Sequence, residues 1–589
     1  MRWNLDNIYK AFYSDEFQKD LGELQILIKE INKYVDEYLD DLEDAAIKIQ
    51  TYLKMNNEYR SIYLRLQSYA ELRTSIDGQD DEAINMVDKI DTINNEIITS
   101  FTAFTKWIKD IPDIETVIGS SLYLLEHRFY LCEIISKSSY LLDEKQELLI
   151  KRMQSTGSRA WQKLYMSLTS SAEIQIVING IKKQVTLGEL KNLEGKNDPE
   201  IRKLAAKAEK DICENLSKSV NACINGITGE ANTICELKGY GSVLEKVLLE
   251  NRMDKQTLEI MMDVIKKNLP IFHTFFRYKG NLLGHKAAIP YIDAYATIKK
   301  GNMKVSYNEC KELIISGFQK FSQELSNFAK RVFDEKWIDA EPRKGKGNYG
   351  LTIDIFPIKE SRIITNFSGN YVDVAILAHE IGHAYHSYCL RQEEILNTDY
   401  PVSIAETASI FCESILNQEL MDNPHTEDKL AILERSISDA AYYIVEMYSR
   451  YIFECELFLR RKEGMISVNT VNEIMIESLK QAYGDSVDIE TMNPYAWVNN
   501  IGFYMVGNEY LDFPYSFGVL FAKGLYAQHL KRGKEFVVEF EQFLKMTSKM
   551  DIYNVSKSIN IDVHSVDFWN DAMKMIEYDI KKFIQSVKD

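Results

Sequence analysis

The chain is poor in residues that break regular structure, with 10 prolines and 27 glycines in 589 residues. That scarcity argues against a fold of many short strands and tight turns and favours long helices. Basic residues are outnumbered, 70 Lys and Arg against 88 Asp and Glu, giving a formal net charge of −18. Such a field repels phosphate backbones and excludes nucleic acid as an expected partner. None of the eight cysteines forms a C-x-x-C pair and their spacing is irregular, so neither a disulfide framework nor a cysteine-bound metal is expected. No uncharged apolar run reaches transmembrane length, and no membrane association is expected. The opening Met1-Arg-Trp-Asn-Leu-Asp6 carries no apolar signal core, so the expected compartment is the cytoplasm.

What is present is an ordinary globular composition, 45% apolar and 27% charged. The length calls for at least two lobes. Phe17, Leu21, Leu24, Leu27 and Ile28 recur at helical spacing, as do the apolar residues from Tyr59 to Leu72 and from Ala83 to Phe104. Ile174, Ile176 and Ile178 alternate, Asn179-Gly180 interrupts, and Val185 and Leu187 alternate again. Asn-Gly accepts the positive φ angles of a type I′ turn, so this stretch reads as a β-hairpin. It marks an expected boundary near residue 190, dividing an N-terminal helical domain, 1–190, from a catalytic domain, 191–589. Asp198-Pro199-Glu200 then opens a helix with proline in its first turn. Between 337 and 370 the helical pattern breaks, and Leu351–Phe356 and Arg362–Phe367 read as short strands. Gly345-Lys-Gly-Asn-Tyr-Gly350 matches G-x-G-x-x-G, but strand-like residues follow it where a dinucleotide fingerprint needs a helix, so it reads as a substrate loop.

His379-Glu-Ile-Gly-His383 places two imidazoles four residues apart, on one face of a helix, where they can bind one zinc ion. Glu380, beside the first histidine, is positioned to take a proton from an attacking water and pass it to a leaving amine. Gly382 within the motif leaves room for another element to pack closely. A third ligand is needed. Glu406 and Glu413 lie seven apart among apolar neighbours, on one helical face. One of them is expected to ligate the metal, the other to orient a ligand histidine. His386, three residues after His383, is expected to pack or support rather than ligate.

The run Ser361-Arg-Ile-Ile-Thr-Asn-Phe-Ser-Gly369, then Asp373-Val, then Leu377-Ala-His-Glu-Ile-Gly-His-Ala-Tyr-His386, resembles oligoendopeptidase F of peptidase family M3. Trp3–Tyr9, Trp337–Gly345 and Phe513–Tyr526 resemble the same family, so the similarity spans nearly the whole chain. The resemblance implies a mainly α, multi-helical, two-lobed zincin-type peptidase enclosing a deep channel, with a small β-sheet beside the active-site helix. It implies one zinc ion per chain, held by His379, His383 and Glu406. It implies short peptides as substrates, Glu380 as the catalytic base and Tyr515 as donor to the oxyanion. The strand around Ile363 to Phe367 is expected to lie along the peptide, with Asn366 and Gly369 as contacts. The chain departs from the family pattern at two places: Gly502 stands where a histidine is usual, and Leu511 where a tyrosine is usual. Tyr504 and Tyr510 are the candidates to substitute. The alternative reading is a zinc-retaining peptide-binding protein whose turnover is weak or lost because of Gly502 and Leu511. Oligomeric state is not legible in the sequence.

Overall fold

The computed structural model describes residues 1–588 apart from 299, 300, 302, 424, 425 and 427. The described residues are mostly helical with three small sheets among them, as the scarcity of breakers predicts. The hairpin forms as expected: Glu173–Ile178 pairs antiparallel with Ile181–Thr186. Its turn residues Asn179 and Gly180 adopt φ of 52° and 78°. Asp198 caps the helix Pro199–Lys238, accepting from the Glu200 amide at 3.0 Å.

Buried side chains form two clusters. One gathers residues from Ile8 to Ile134 and takes in Ile355 and Leu396. The other begins at Tyr165 and runs to Phe583. Ile176, Val185 and Leu187 of the hairpin belong to this second cluster. The hairpin that suggested a boundary near 190 therefore packs inside the second core, because its inward-facing residues find their apolar partners there. The two cores meet across specific polar contacts. Arg252 grips Glu133 through two bonds of 2.9 Å, and Arg252 Nη1 also donates to the Asp399 carbonyl at 2.9 Å. The glycine-rich loop is tied down too: the Gly78 amide donates to the Gly345 carbonyl at 2.9 Å.

The sheet beside the site has three strands, with Glu360–Ile364 in the middle. It pairs parallel with Ile338–Asp339 on one side and antiparallel with Leu351–Ile355 on the other. Beyond its end, the Thr365 and Phe367 amides donate to Asp339 and Ala340 carbonyls. This corrects the expectation that a peptide lies along Ile363 to Phe367. Both edges of Glu360–Ile364 are already paired, and of the two outer strands Ile338–Asp339 runs on into Ala340 and Glu341, whose amides donate to the Met1 carbonyl, while Leu351–Ile355 forms the other edge.

The helix carrying the histidine pair, Tyr371–Leu390, is locked at its start. Asn370 and Asp373 form a reciprocal cap, and Asp373 Oδ2 also accepts from the Ser368 and Gly369 amides at 2.6 and 2.8 Å. Gly369 has φ +88°, and a Cβ there would lie 2.6 Å from the Val305 carbonyl oxygen. Only glycine fits that turn. All eight cysteines are free thiols. Among the described residues no helix is long and apolar enough to cross a membrane.

Candidate active site

Four helices enclose a cavity of about 260 Å³. They are the motif helix Tyr371–Leu390, the carboxylate helix Val402–Asp422, the arginine helix Lys429–Ala441 and the tyrosine helix Phe513–Arg532. Two glycines let them close. A Cβ on Gly382 would sit 2.5 Å from Ser409 Cα and 2.7 Å from the Ala408 oxygen, so the motif and carboxylate helices cross backbone to backbone. A Cβ on Gly518 would sit 2.7 Å from Glu406 Cβ, which brings the tyrosine helix against the same glutamate.

His379, His383 and Glu406 each offer one donor atom to a common point. The two Nε2 atoms are 3.1 Å apart, and Glu406 Oε2 lies 3.3 Å from the first and 3.6 Å from the second. Zinc bonds of about 2.0–2.2 Å place tetrahedral ligand atoms roughly 3.3–3.6 Å apart, so both glutamate edges of this triangle match a tetrahedral face and the histidine–histidine edge is slightly shorter. The electrostatics agree. Burial alone would raise Glu406, but the His379 hydrogen bond and the histidine charges carry it down to about 2. Burial would likewise lower His379, but Glu406 and Glu413 hold it well above the ordinary histidine value. His383 is pushed down to about 4 by burial and by the charge on His379. The carboxylates thus favour positive charge at the point the three groups share.

Glu413 is 2.5 Å from His379 Nδ1. A carboxylate only accepts, so Nδ1 carries the hydrogen and the lone pair of Nε2 points to the shared site. Glu380 is buried alongside. Thr352 Oγ1, on the outer strand, donates to Glu380 Oε2 at 2.7 Å and to the Glu380 carbonyl at 2.9 Å. Gly350, at the start of that strand, leaves space that a Cβ would fill, 2.7 Å from Glu380 Oε1. Burial raises the Glu380 carboxyl, more than His379 and Thr352 lower it. Tyr515 lines the same cavity. Its hydroxyl has no hydrogen-bond partner among the described residues, and burial, then Glu406, raises its pKa.

The other candidates fall elsewhere. His386 is fully buried, stacked on Tyr400 at 4.0 Å and bonded to Thr547 Oγ1 at 2.8 Å, so it packs rather than ligates. Tyr504 and Tyr510 do not reach the cavity, which corrects their assignment as substitutes. Tyr504 stacks on Tyr165 at 3.7 Å and donates to the Trp497 carbonyl, so its hydroxyl is already used. Tyr510 is buried against Phe458 at 5.3 Å. Asn366 donates to the Gly347 carbonyl at 2.8 Å, fixing the glycine-rich loop, and Gly369 serves the helix cap. Gly502 and Leu511 are absent from the cavity wall. Gly502 instead sits beside Asn500, whose Oδ1 accepts from its amide at 3.1 Å. The cavity also holds residues that sequence spacing did not single out: Thr352 just outside, and Tyr371, Asn417, Arg435, Asp439, Tyr443 and Lys523 on its walls. Of these, Tyr371, two turns before His379, Asn417, one turn after Glu413, and Lys523, two turns after Tyr515, had a helical spacing that pointed to them.

Fold and site together define a helical metallopeptidase. The chain belongs to peptidase family M3, whose model matches residues 192–575, and residues 110–173 match the N-terminal model described as Oligopeptidase F. It is 25% identical over 593 aligned residues to Oligopeptidase PepF of Bacillus subtilis, across 98% of this chain and 85% of that protein. Its fold superposes on a crystal structure from Chlamydophila abortus with a TM-score of 0.84, at 18% identity, covering 99% of this chain and 98% of the other. Oligoendopeptidase-F from Enterococcus faecium gives a TM-score of 0.71 at 18% identity, covering 97% and 99%.

Proposed function

We propose that this chain is a zinc-dependent endopeptidase that hydrolyses short peptides. The observation that carries this reading is the donor triangle of His379, His383 and Glu406 with buried Glu380 beside it. When bound there, zinc supplies a Lewis acid that acidifies water and polarises the scissile carbonyl. Glu380, aimed by Thr352, takes the proton from the attacking water and returns it to the departing amine. Tyr515, with an uncommitted hydroxyl, donates to the oxygen on which negative charge develops. Glu413 keeps His379 in the tautomer a ligand needs. A peptide is held extended against the outer strand Leu351–Ile355, whose free edge offers backbone partners for strand addition. Short peptides are the substrate class because the relatives are oligopeptidases by name and the site lies in a cavity walled by four helices. The alternative, a binder without turnover, rests on Gly502 and Leu511. Neither lines the cavity, and Glu380, which a binder does not need, is in place, so the catalytic reading is favoured.

The test uses chelated and zinc-reconstituted protein with a mixture of quenched fluorescent peptides. Hydrolysis that vanishes on chelation and returns with one zinc ion per chain is expected. Hydrolysis that persists in fully metal-free protein would contradict the proposal.

A further inference from the structure

The arginine helix does not run on straight. Lys429–Ala441 passes into a single π-turn, Tyr442–Glu446, before Met447–Glu463 resumes the α-helix. A π-turn bulges the helix and redirects its side chains, and such turns are frequent at functional sites. Here two adjacent tyrosines meet different surroundings. The Tyr442 hydroxyl accepts from Arg450 Nη2 at 3.2 Å, and its ring meets Tyr295 edge-on at 5.7 Å. Tyr443 instead lines the active-site cavity. The turn is held on both sides. Glu446, its last residue, accepts from the Tyr483 and Tyr291 hydroxyls at 2.7 and 3.0 Å and from Arg450 Nε at 3.3 Å. The Tyr443 carbonyl accepts from Oγ of Ser516, the residue after Tyr515, at 2.6 Å. That bond ties Tyr443 to the tyrosine helix, and the Tyr443 and Tyr515 rings lie 22° from parallel with centroids 6.4 Å apart.

Three tyrosines line the cavity, and they differ in what their hydroxyls do. Tyr371 spends its own on Asn417 Oδ1 at 2.6 Å. Those of Tyr443 and Tyr515 make no hydrogen bond among the described residues. Burial raises the Tyr443 pKa, and the charges of Asp439, Glu406 and Glu413 add to it, so the hydroxyl keeps its proton to donate. Glu406 and Glu413 are the two carboxylates that hold His379, so Tyr443 stands on the metal side of the wall. A half-buried phenol with an unused hydroxyl is a polar group in want of a partner.

We infer that Tyr443 is a second catalytic hydroxyl, donating together with Tyr515 to the scissile carbonyl oxygen as negative charge develops on it. Two O–H···O bonds of about 2.7–3.0 Å that meet at one oxygen put their donors at most about 6 Å apart, close to the 6.4 Å between the two rings. Neither hydroxyl has to leave another protein partner to make the bond. The π-turn and the Ser516 bond fix Tyr443 in advance, so the pair meets the charged oxygen without rearranging. Both phenols keep their protons throughout, and no covalent bond to Tyr443 forms or breaks.

The assignment rests on the peptidase reading, and the experiment separates the two. Tyr443→Phe keeps the ring, its place beside Tyr515 and the carbonyl that Ser516 holds, and removes only the hydroxyl. Bound zinc and thermal unfolding should match the parent. With a quenched peptide that the parent cuts, kcat should fall by about 10²-fold while KM stays within about twofold. A phosphinic analogue of that peptide, with a tetrahedral P–O⁻ in place of the scissile carbonyl, should bind the zinc-loaded variant about 10²-fold more weakly in calorimetry. The peptide itself should bind Glu380→Gln equally well with and without Tyr443→Phe. A variant kcat within about threefold of the parent overturns the inference, as does a loss confined to KM. Should the parent cut no peptide, the peptidase reading falls. The inference is then decided by calorimetry of a phosphinic tetrapeptide on the zinc-loaded chain: weaker binding to Tyr443→Phe supports it, and equal binding overturns it.

Discussion

Glu406 and Glu413 share one helical face, yet the structure gives them different partners: Glu406 joins both histidines, and Glu413 only the far nitrogen of His379. Glu413→Gln should keep the fold and weaken zinc binding about 10–100-fold, measured by competition with a fluorescent chelator. Tyr515→Phe should keep zinc and lower kcat by about 10²–10³. An unchanged kcat would remove Tyr515 from the oxyanion. The ligand candidates were legible because spacings of four and seven on a helix fix a shared face before any tertiary contact forms. Tyr504 and Tyr510 were not. They lie close to Tyr515 in sequence, but each is turned into the core by a short helical turn or a positive φ, and nothing local announces that direction.

At the scale of elements, the crossing of the motif and carboxylate helices decides whether the donors meet. Gly382 makes that crossing, with backbone atoms where a Cβ would go. Gly382→Ala should therefore cost about 1–3 kcal/mol. It should also weaken zinc binding, because the helices can relieve the clash only by moving Glu406 away from the histidines. Thermal denaturation with and without zinc reads both effects, and a variant as stable and as tight as the parent would contradict the packing argument. The hairpin and the helix begun by Asp198-Pro199 could be read directly, since turn and cap chemistry are local. The choice of outer strand could not. Both strands carry similar apolar patterns, and which keeps a free edge depends on Ile338–Asp339 arriving from earlier in the chain. Arg435 and Asp439 escaped for the same reason: as single charged residues they read as solvated faces until four helices enclose them.

Across the whole molecule, the two cores are held in register by Arg252 on Glu133, with the Arg252 ring contact to Phe129 at 4.8 Å beneath it. Burial would raise Glu133, but Arg252 outweighs it and the carboxyl lies below its ordinary value of 4.5. A depressed folded-state pKa means that this link is complete above the ordinary glutamate range and is lost as pH falls through the lowered value. Arg252→Ala should destabilise the chain by about 1–3 kcal/mol, since it removes the Arg252 bonds to Glu133 and the Asp399 carbonyl while Glu133 keeps Lys137 at 3.3 Å. The loss should shrink in acid below that range. Unfolding at pH 7 and pH 3 measures it, and a cost independent of pH would assign the effect to packing alone.

The central claim is that one metal site and one glutamate perform peptide hydrolysis. Its most direct test is the parallel measurement of bound zinc and peptide turnover in the parent chain and in Glu380→Gln. The account predicts one zinc ion in each protein and a turnover at least about 10²-fold lower in the variant. Equal turnover in the two, at equal zinc content, would contradict it.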